Sequence, residues 1–167
     1  MDPIIILVNG PSSSGKSTLA KNLQARIVKA SGDLYEVISI DDFMKCDPEE
    51  TIYEDDVYEI SGEMCDAIKD LMSKGTGVIV DHVITSERIY EQLLEETKPY
   101  DLRTVKIECA IEILRQREQA RGDRCVGSAE SSLTYLYPKD GYDLTVNTGD
   151  MSSEDCAAKI YEAVFVK

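Results

Sequence analysis

Residues 4–17 read Ile4-Ile5-Ile6-Leu7-Val8-Asn9-Gly10-Pro11-Ser12-Ser13-Ser14-Gly15-Lys16-Ser17. The first five are apolar and mostly β-branched, a run short enough for a strand buried on both faces and therefore central in its sheet. Gly10 to Ser17 then fit GxxxxGK[ST] at every fixed position, and Lys16 to Ala30 carry Leu19, Ala20, Leu23 and Ile27 at helical spacing. Strand, glycine-rich turn and helix in that order are the context in which this pattern cradles phosphate. The turn brings backbone amides around an anion, Lys16 reaches the outer phosphates, and Ser17 can place a hydroxyl on Mg²⁺. Gly10, Pro11, Ser12, Ser13, Ser14, Gly15, Lys16, Ser17 and Thr18 are thus the candidate nucleotide-binding residues, and ATP with Mg²⁺ the expected cofactors.

Outward from this segment the chain alternates strands with helices. Tyr35 to Ile40, Gly77 to Val80, Arg103 to Cys109 and Tyr142 to Asn147 read as further strands. Asp55 to Met72, with Val57, Ile60, Met64, Ala67, Ile68 and Leu71 on one face, reads as an amphipathic helix, and Ser86 to Glu95, Ile111 to Ala120 and Ser153 to Val164 as others. The alternation predicts an α/β fold: a parallel sheet of about five strands with helices on both faces and a ligand crevice beyond the carboxyl ends of the strands. The 167 residues, 43% apolar, suit one domain over the whole of 1–167, without repeats or long linkers. No basic leader and no apolar run of membrane-spanning length is present, so the expectation is a cytoplasmic protein without a membrane partner.

The formal net charge of −14 repels polyanions, which weighs against bulk nucleic acid as a partner. It leaves a small, non-anionic acceptor as the expected second substrate, while oligomeric state is not legible from spacing. Five scattered cysteines with no CxxC pair suggest reduced, mostly buried thiols rather than a disulfide framework or a zinc site. The acidic stretch from Lys45 to Tyr58 reads mostly as solvated surface. Tyr53, Tyr58, Tyr135 and Tyr137 are candidates for packing or for stacking on an aromatic acceptor.

Against this acidic background Arg115, Arg117, Arg121 and Arg124 cluster. Arg117 and Arg121 share a helix face at i and i+4, and Gly122 can end the helix so that Arg124 swings back. Three guanidinium groups, Arg117, Arg121 and Arg124, can then converge on a migrating phosphoryl group. Asp81, closing Val78-Ile79-Val80, stands where a carboxylate serves Mg²⁺ or an acceptor, and both roles stay open. His82, the only histidine, is either structural or part of an acceptor pocket. The turn Asn147-Thr148-Gly149-Asp150 lacks the lysine of a guanine-reading signature but falls where a nucleoside base would lie, which makes Thr148 a candidate adenine contact.

The stretches GPSSSGKS (10–17), ISIDDF (38–43), GVIVDHV (77–83), REQARGDRCVGSAE (117–130) and YDLTVNT (142–148) together resemble the chloramphenicol phosphotransferase-like family. The resemblance implies the fold of the nucleotide-monophosphate and shikimate kinases, with a five-stranded parallel sheet and an arginine-bearing lid at about 117–138. It also implies transfer of the ATP γ-phosphate to a hydroxyl of a small acceptor such as chloramphenicol, with a role in antibiotic resistance. By the same resemblance the general base is Asp41. Adjacent side chains on an extended segment point oppositely, so one of Asp41 and Asp42 should face the crevice. A nucleoside or nucleotide kinase, and a non-enzymatic ATP-dependent switch, are the rival readings.

Overall fold

The opening apolar run folds as the middle strand of the sheet. In the computed structural model, which describes residues 2–44 and 51–166, β1 (Ile5–Asn9) is buried at every position. Parallel to it run β2 (Tyr35–Ser39), β3 (Gly77–His82), β4 (Leu102–Glu108) and β5 (Leu144–Asn147), in the order β2-β3-β1-β4-β5. The helices are α1 (Lys16–Ser31), α2 (Glu54–Ser73), α3 (Glu87–Thr97), α4 (Ile111–Arg121), α5 (Ser128–Tyr135) and α6 (Ser153–Phe165). All of these but α5 are legible as periodic segments of the sequence.

Alternation along β1 divides the core in two. Ile4, Ile6 and Val8 pack with Leu19, Leu23 and Ile27 of α1 and with Cys156, Ala157 and Ile160 of α6. Ile5 and Leu7 pack on the other face with Met64, Cys65 and Ile68 of α2 and with Ile89 and Leu93 of α3. Full burial of a leucine or isoleucine contributes about 1.5–3 kcal/mol. The three on α1 therefore hold both the helix and the loop before it against the sheet. The buried face of α2 is turned slightly from its expected stripe: Ser61, Met64, Cys65, Ile68 and Met72 are buried, whereas Val57, Ile60, Ala67 and Leu71 are only partly so.

The acidic residues Glu54, Asp55 and Asp56 form the first turn of α2, where the helix dipole favours them. Asp47, Glu49, Glu50 and Cys46 lie outside the described residues. Of the other cysteines, Cys65, Cys109 and Cys156 are buried and Cys125 is exposed. No helix among the described residues is long and apolar enough to cross a membrane.

Beyond the carboxyl ends of the strands, α4 and α5 pack on each other through a small cluster of Cys109, Leu114 and Ala129. Gly10 marks the exit of β1 toward this end. A Cβ at Gly10 would lie 2.6 Å from the Ile107 Cβ and 3.0 Å from the Ile107 carbonyl oxygen. Neither atom can move aside by a rotamer change, so Gly10→Ala is expected to lower stability by about 1–3 kcal/mol, measured by urea unfolding.

Candidate active site

Between β1 and α1 the chain folds back over itself. Ser13 (φ 65°) and Gly15 (φ 86°) are left-handed, and the Ser14 N–H donates to the Pro11 carbonyl at 3.3 Å. Such turns gather backbone N–H groups into an anion-binding concavity, here directly before the N-terminus of α1. Lys16 spans it: its Nζ donates to the Pro11 carbonyl at 2.8 Å and to Ser14 Oγ at 3.5 Å. Burial pushes the Lys16 pKa from the ordinary 10.5 down to about 8, with Asp81 and then Asp41 pulling it back. An anion in the loop would supply the compensation that this buried ammonium lacks.

β3 runs two residues past its apolar stretch, so Asp81 and His82 belong to the strand, and both are buried. Strand alternation sends them to opposite faces. Asp81 accepts a hydrogen bond from Ser17 Oγ at 2.6 Å. A hydroxyl and a carboxylate oxygen thus meet beside the loop, a donor set that fits Mg²⁺, which takes one or two protein oxygens and completes its shell with water and phosphate. On the other face, neither ring nitrogen of His82 finds a hydrogen-bond partner. Burial pushes the His82 pKa from 6.5 down to about 4, opposed in part by the nearby Val83 backbone.

Asp41 and Asp42 are not on an extended segment. Ile40–Asp42 form a 3₁₀ turn directly after β2, so successive side chains are separated by about a third of a turn rather than by the half turn of a strand. Asp41 faces the cavity and Asp42 does not line it. Arg124 donates to Asp41 Oδ2 at 2.6 Å, joining the β2 end to the segment after α4.

The arginines divide by role. Arg117 donates to the carbonyls of Ser14 at 3.2 Å and Thr148 at 2.8 Å, which pins α4 to the phosphate loop and to the turn after β5. Arg121 pairs with Asp123 at 3.1 Å, and Arg115 pairs with Glu130 at 2.8 Å away from the cavity. Gly122 ends α4 in a left-handed conformation (φ 68°), as its place in the sequence predicts. Thr148 is engaged with the loop itself: it is buried, its Oγ1 donates to the Ser14 carbonyl at 2.5 Å, and it does not line the cavity. The sequence reading of Thr148 as an adenine contact did not include this bond to the loop.

Two further residues have no sequence motif to announce them. Ser132 on α5 accepts from the Ser12 N–H at 2.9 Å and lines the cavity. Glu118, buried on α4, accepts from the N–H groups of Gly127 at 2.9 Å and Ala129 at 2.7 Å, and those two bonds hold its carboxyl below the usual range. It caps α5 from outside the helix and fixes both ends of the turn that carries Arg124. Glu118→Ala is expected to speed amide exchange at Gly127 and Ala129 by about 10-fold or more, and to lower the thermal midpoint; unchanged exchange would remove Glu118 from this role.

These groups surround one cavity of about 760 Å³. The loop side supplies Ser12, Ser13, Gly15, Lys16, Ser17 and Thr18, and the α4 side supplies Arg117, Arg121 and Arg124. The ends of β2 and β3 add Asp41, Asp81 and His82, and the apolar Ile40, Met44 and Val57 complete the lining. Gly10, Pro11 and Ser14 shape the loop from behind without lining this space. Tyr53, Tyr58, Tyr135 and Tyr137 do not line it either: the Arg88 guanidinium sits 4.0 Å over the Tyr58 ring, and Tyr137 packs edge-on to Tyr90.

Solved structures share the architecture. APS kinase of Mycobacterium tuberculosis, solved with AMPPNP and APS, superposes with a TM-score of 0.78 at 16% identity over 98% of both chains. The tunicamycin resistance protein of Deinococcus radiodurans has a TM-score of 0.71 at 19% identity, covering 99% of this chain and 97% of its own. A gluconokinase of Sinorhizobium meliloti has a TM-score of 0.64 at 20% identity, covering 98% and 97%. Identities this low establish the fold, that of the P-loop kinases. No curated protein matches the chain significantly in sequence. The family model for chloramphenicol phosphotransferase-like proteins matches residues 3–165, and with the phosphate loop, parallel sheet and strand order all in place, the chain belongs to that family.

Proposed function

We propose that this protein transfers the γ-phosphoryl group of ATP to a hydroxyl of a small, non-anionic acceptor. The observation that carries the reading is that Lys16, Asp41 and the three arginines of the 117–124 segment border a single cavity at the carboxyl end of the sheet. ATP lies along the loop from Gly10 to Thr18, its phosphates on the backbone amides and Lys16. Arg117, Arg121 and Arg124 offset charge on the migrating phosphoryl group, whose transition state is stabilised mainly by such fixed cations. Mg²⁺, when bound at Ser17 and Asp81, spreads the phosphate charge further.

Asp41 orients the acceptor hydroxyl and takes its proton. A carboxylate accepts several hydrogen bonds, so the oxygen not used by Arg124 remains for the acceptor. In this reading residues 117–138 act as a lid, packed through Ala129 on Cys109 and Leu114 and closing over the phosphates to exclude water. Among the described residues the lysine and arginine side chains lining the cavity are Lys16 and the three arginines; the β2 and β3 ends contribute the buried His82 but no lysine or arginine. A nucleotide-monophosphate acceptor would need cations there, which favours an uncharged one. The family's namesake antibiotic is the first compound to test, and the fold shared with a tunicamycin resistance protein makes other antibiotics the next.

The decisive experiment measures ADP release with ATP and Mg²⁺ across hydroxylated antibiotics and nucleosides, with mass spectra for an added phosphoryl group. One stimulated acceptor gaining that mass is the expected result. Slow hydrolysis indifferent to every acceptor would overturn the reading in favour of a nucleotide-dependent switch.

A further inference from the structure

His82 is buried to 2% exposure, lines the cavity, and has a partner of hydrogen-bond geometry at neither ring nitrogen; the Val83 backbone is close enough to act on the ring but does not meet that geometry. Its backbone is ordinary strand, paired in register with Asn9 of β1. Strand alternation places it on the same face as Val78 and Val80, which pack toward α2 and α3. It therefore lies on the sheet face opposite α1, the face where Ile40, Met44 and Val57 pack, and these three line the cavity as well. Its neighbour in the sheet shows how a polar side chain at this level is normally treated. Asn9 is equally buried, yet it donates to the Tyr137 carbonyl at 2.8 Å and to Tyr142 Oη at 2.9 Å and accepts from the Ile84 N–H at 2.9 Å.

Buried polar groups are almost always paired, and an unpaired one beside a cavity calls for a partner that arrives from outside. An uncharged imidazole offers one N–H donor and one nitrogen acceptor, a combination matched by a hydroxyl or an amide, each of which both donates and accepts. Ile40, Met44 and Val57 give this side of the cavity apolar groups, and Lys16 and Asp41 are the charged groups near enough to act on the ring. We propose that His82 is an acceptor-recognition residue, hydrogen-bonding an uncharged hydroxyl or amide of the acceptor and so determining which other hydroxyl is presented to Asp41. This rests on the phosphotransferase reading and narrows its substrate class: an uncharged compound with an apolar body and at least two polar groups, one for Asp41 and one for His82.

Because His82 is the only histidine, ¹⁵N-histidine labelling gives one imidazole to follow. The labelled protein is saturated with AMPPNP and titrated with chloramphenicol, uridine and glucose in turn; the same compounds are assayed with ATP for phosphorylated product in wild type, His82→Phe and His82→Gln. His82→Phe keeps the ring volume and removes both nitrogens, whereas His82→Gln retains a donor and an acceptor. A compound that is phosphorylated should shift the His82 nitrogen signals. Its KM should rise by about 10-fold or more in His82→Phe, with the KM for ATP held within about twofold and partial recovery in His82→Gln.

Phosphorylation without any change in the histidine signals or in acceptor KM would overturn the assignment of His82 and leave the kinase reading standing. Histidine shifts and binding that is lost in His82→Phe, without phosphorylation of any compound, would keep the recognition site and overturn the kinase reading. If no compound does either, both fall. Should His82→Phe fail to fold, the titration of the wild-type protein decides between these outcomes.

Discussion

Asp41→Asn is expected to lower kcat by about 10²–10⁴-fold while leaving AMPPNP affinity, by isothermal titration, within about threefold of wild type. Asparagine is nearly isosteric and can keep the 3₁₀ turn after β2, so the acceptor and ATP should still bind. What disappears is the carboxylate that aligns the hydroxyl and accepts its proton. The loss of Arg124's partner should matter little to stability. The pair is partly exposed, with side-chain exposures of 36% and 52%, and surface pairs of this kind contribute about 0–1 kcal/mol. Freed from Asp41, Arg124 can remain on the phosphates, so nucleotide affinity should hold or rise. Asp42→Asn is the matched control, expected to stay near wild type because Asp42 does not line the cavity. Equal losses in both variants, or a loss in Asp41→Asn confined to nucleotide affinity, would remove Asp41 from the base role.

That Asp41 rather than Asp42 faces the cavity follows from the sequence only in part. The right residue is selected by resemblance, but the geometric reason differs: the strand stops at Ser39 and a 3₁₀ turn, not strand alternation, separates the two carboxylates. Where one local pattern dominates, the sequence is nearly sufficient. The apolar run of β1, the loop and the α1 periodicity all point the same way, and the central strand and phosphate cradle are where they are expected. Asp81 and His82 are less legible because two polar residues at the end of an apolar run look like a strand already finished. They continue the ladder because they pair in register with Val8 and Asn9. α5 is invisible to periodicity, since Ser-Ala-Glu-Ser-Ser-Leu-Thr-Tyr has no apolar stripe. Its start is set by a carboxylate nine and eleven residues away in sequence, Glu118, and its place by Ala129 against Leu114. Thr148 and Ser132 act on the loop from 134 and 120 residues away, through hydrogen bonds that no local spacing encodes.

Lys16→Met is expected to reduce phosphoryl transfer by about 10³-fold or more and, in the same protein without nucleotide, to raise stability at pH 7 by about 1–3 kcal/mol. The two effects share one cause. Lys16 is buried, and desolvation brings its pKa from 10.5 to about 8, so at neutral pH the free protein carries a charge that the fold would rather not hold. Between pH 8 and 10.5 the unfolded chain binds this proton and the folded chain does not, so wild-type stability should rise with pH across that window. Methionine has similar length, carries no charge, and should be indifferent to the same change. Its advantage, read from urea midpoints, should therefore be largest below pH 8 and fade as pH approaches 10.5. The Pro11 carbonyl loses its 2.8 Å bond in the variant, which sets the gain below the full electrostatic cost. For the wild-type enzyme, kcat/KM for ATP should fall as pH rises above about 8, since that ratio follows the protonation of the free enzyme and the ammonium is the form that meets phosphate. A Lys16→Met protein that is less stable than wild type at pH 7, with no pH dependence in the difference, would show that the lysine is held by its hydrogen bonds alone. Buried charge without its counter-anion would then play no part in the site, and the loop would have to bind phosphate through its amides, with Lys16 acting only on the migrating group.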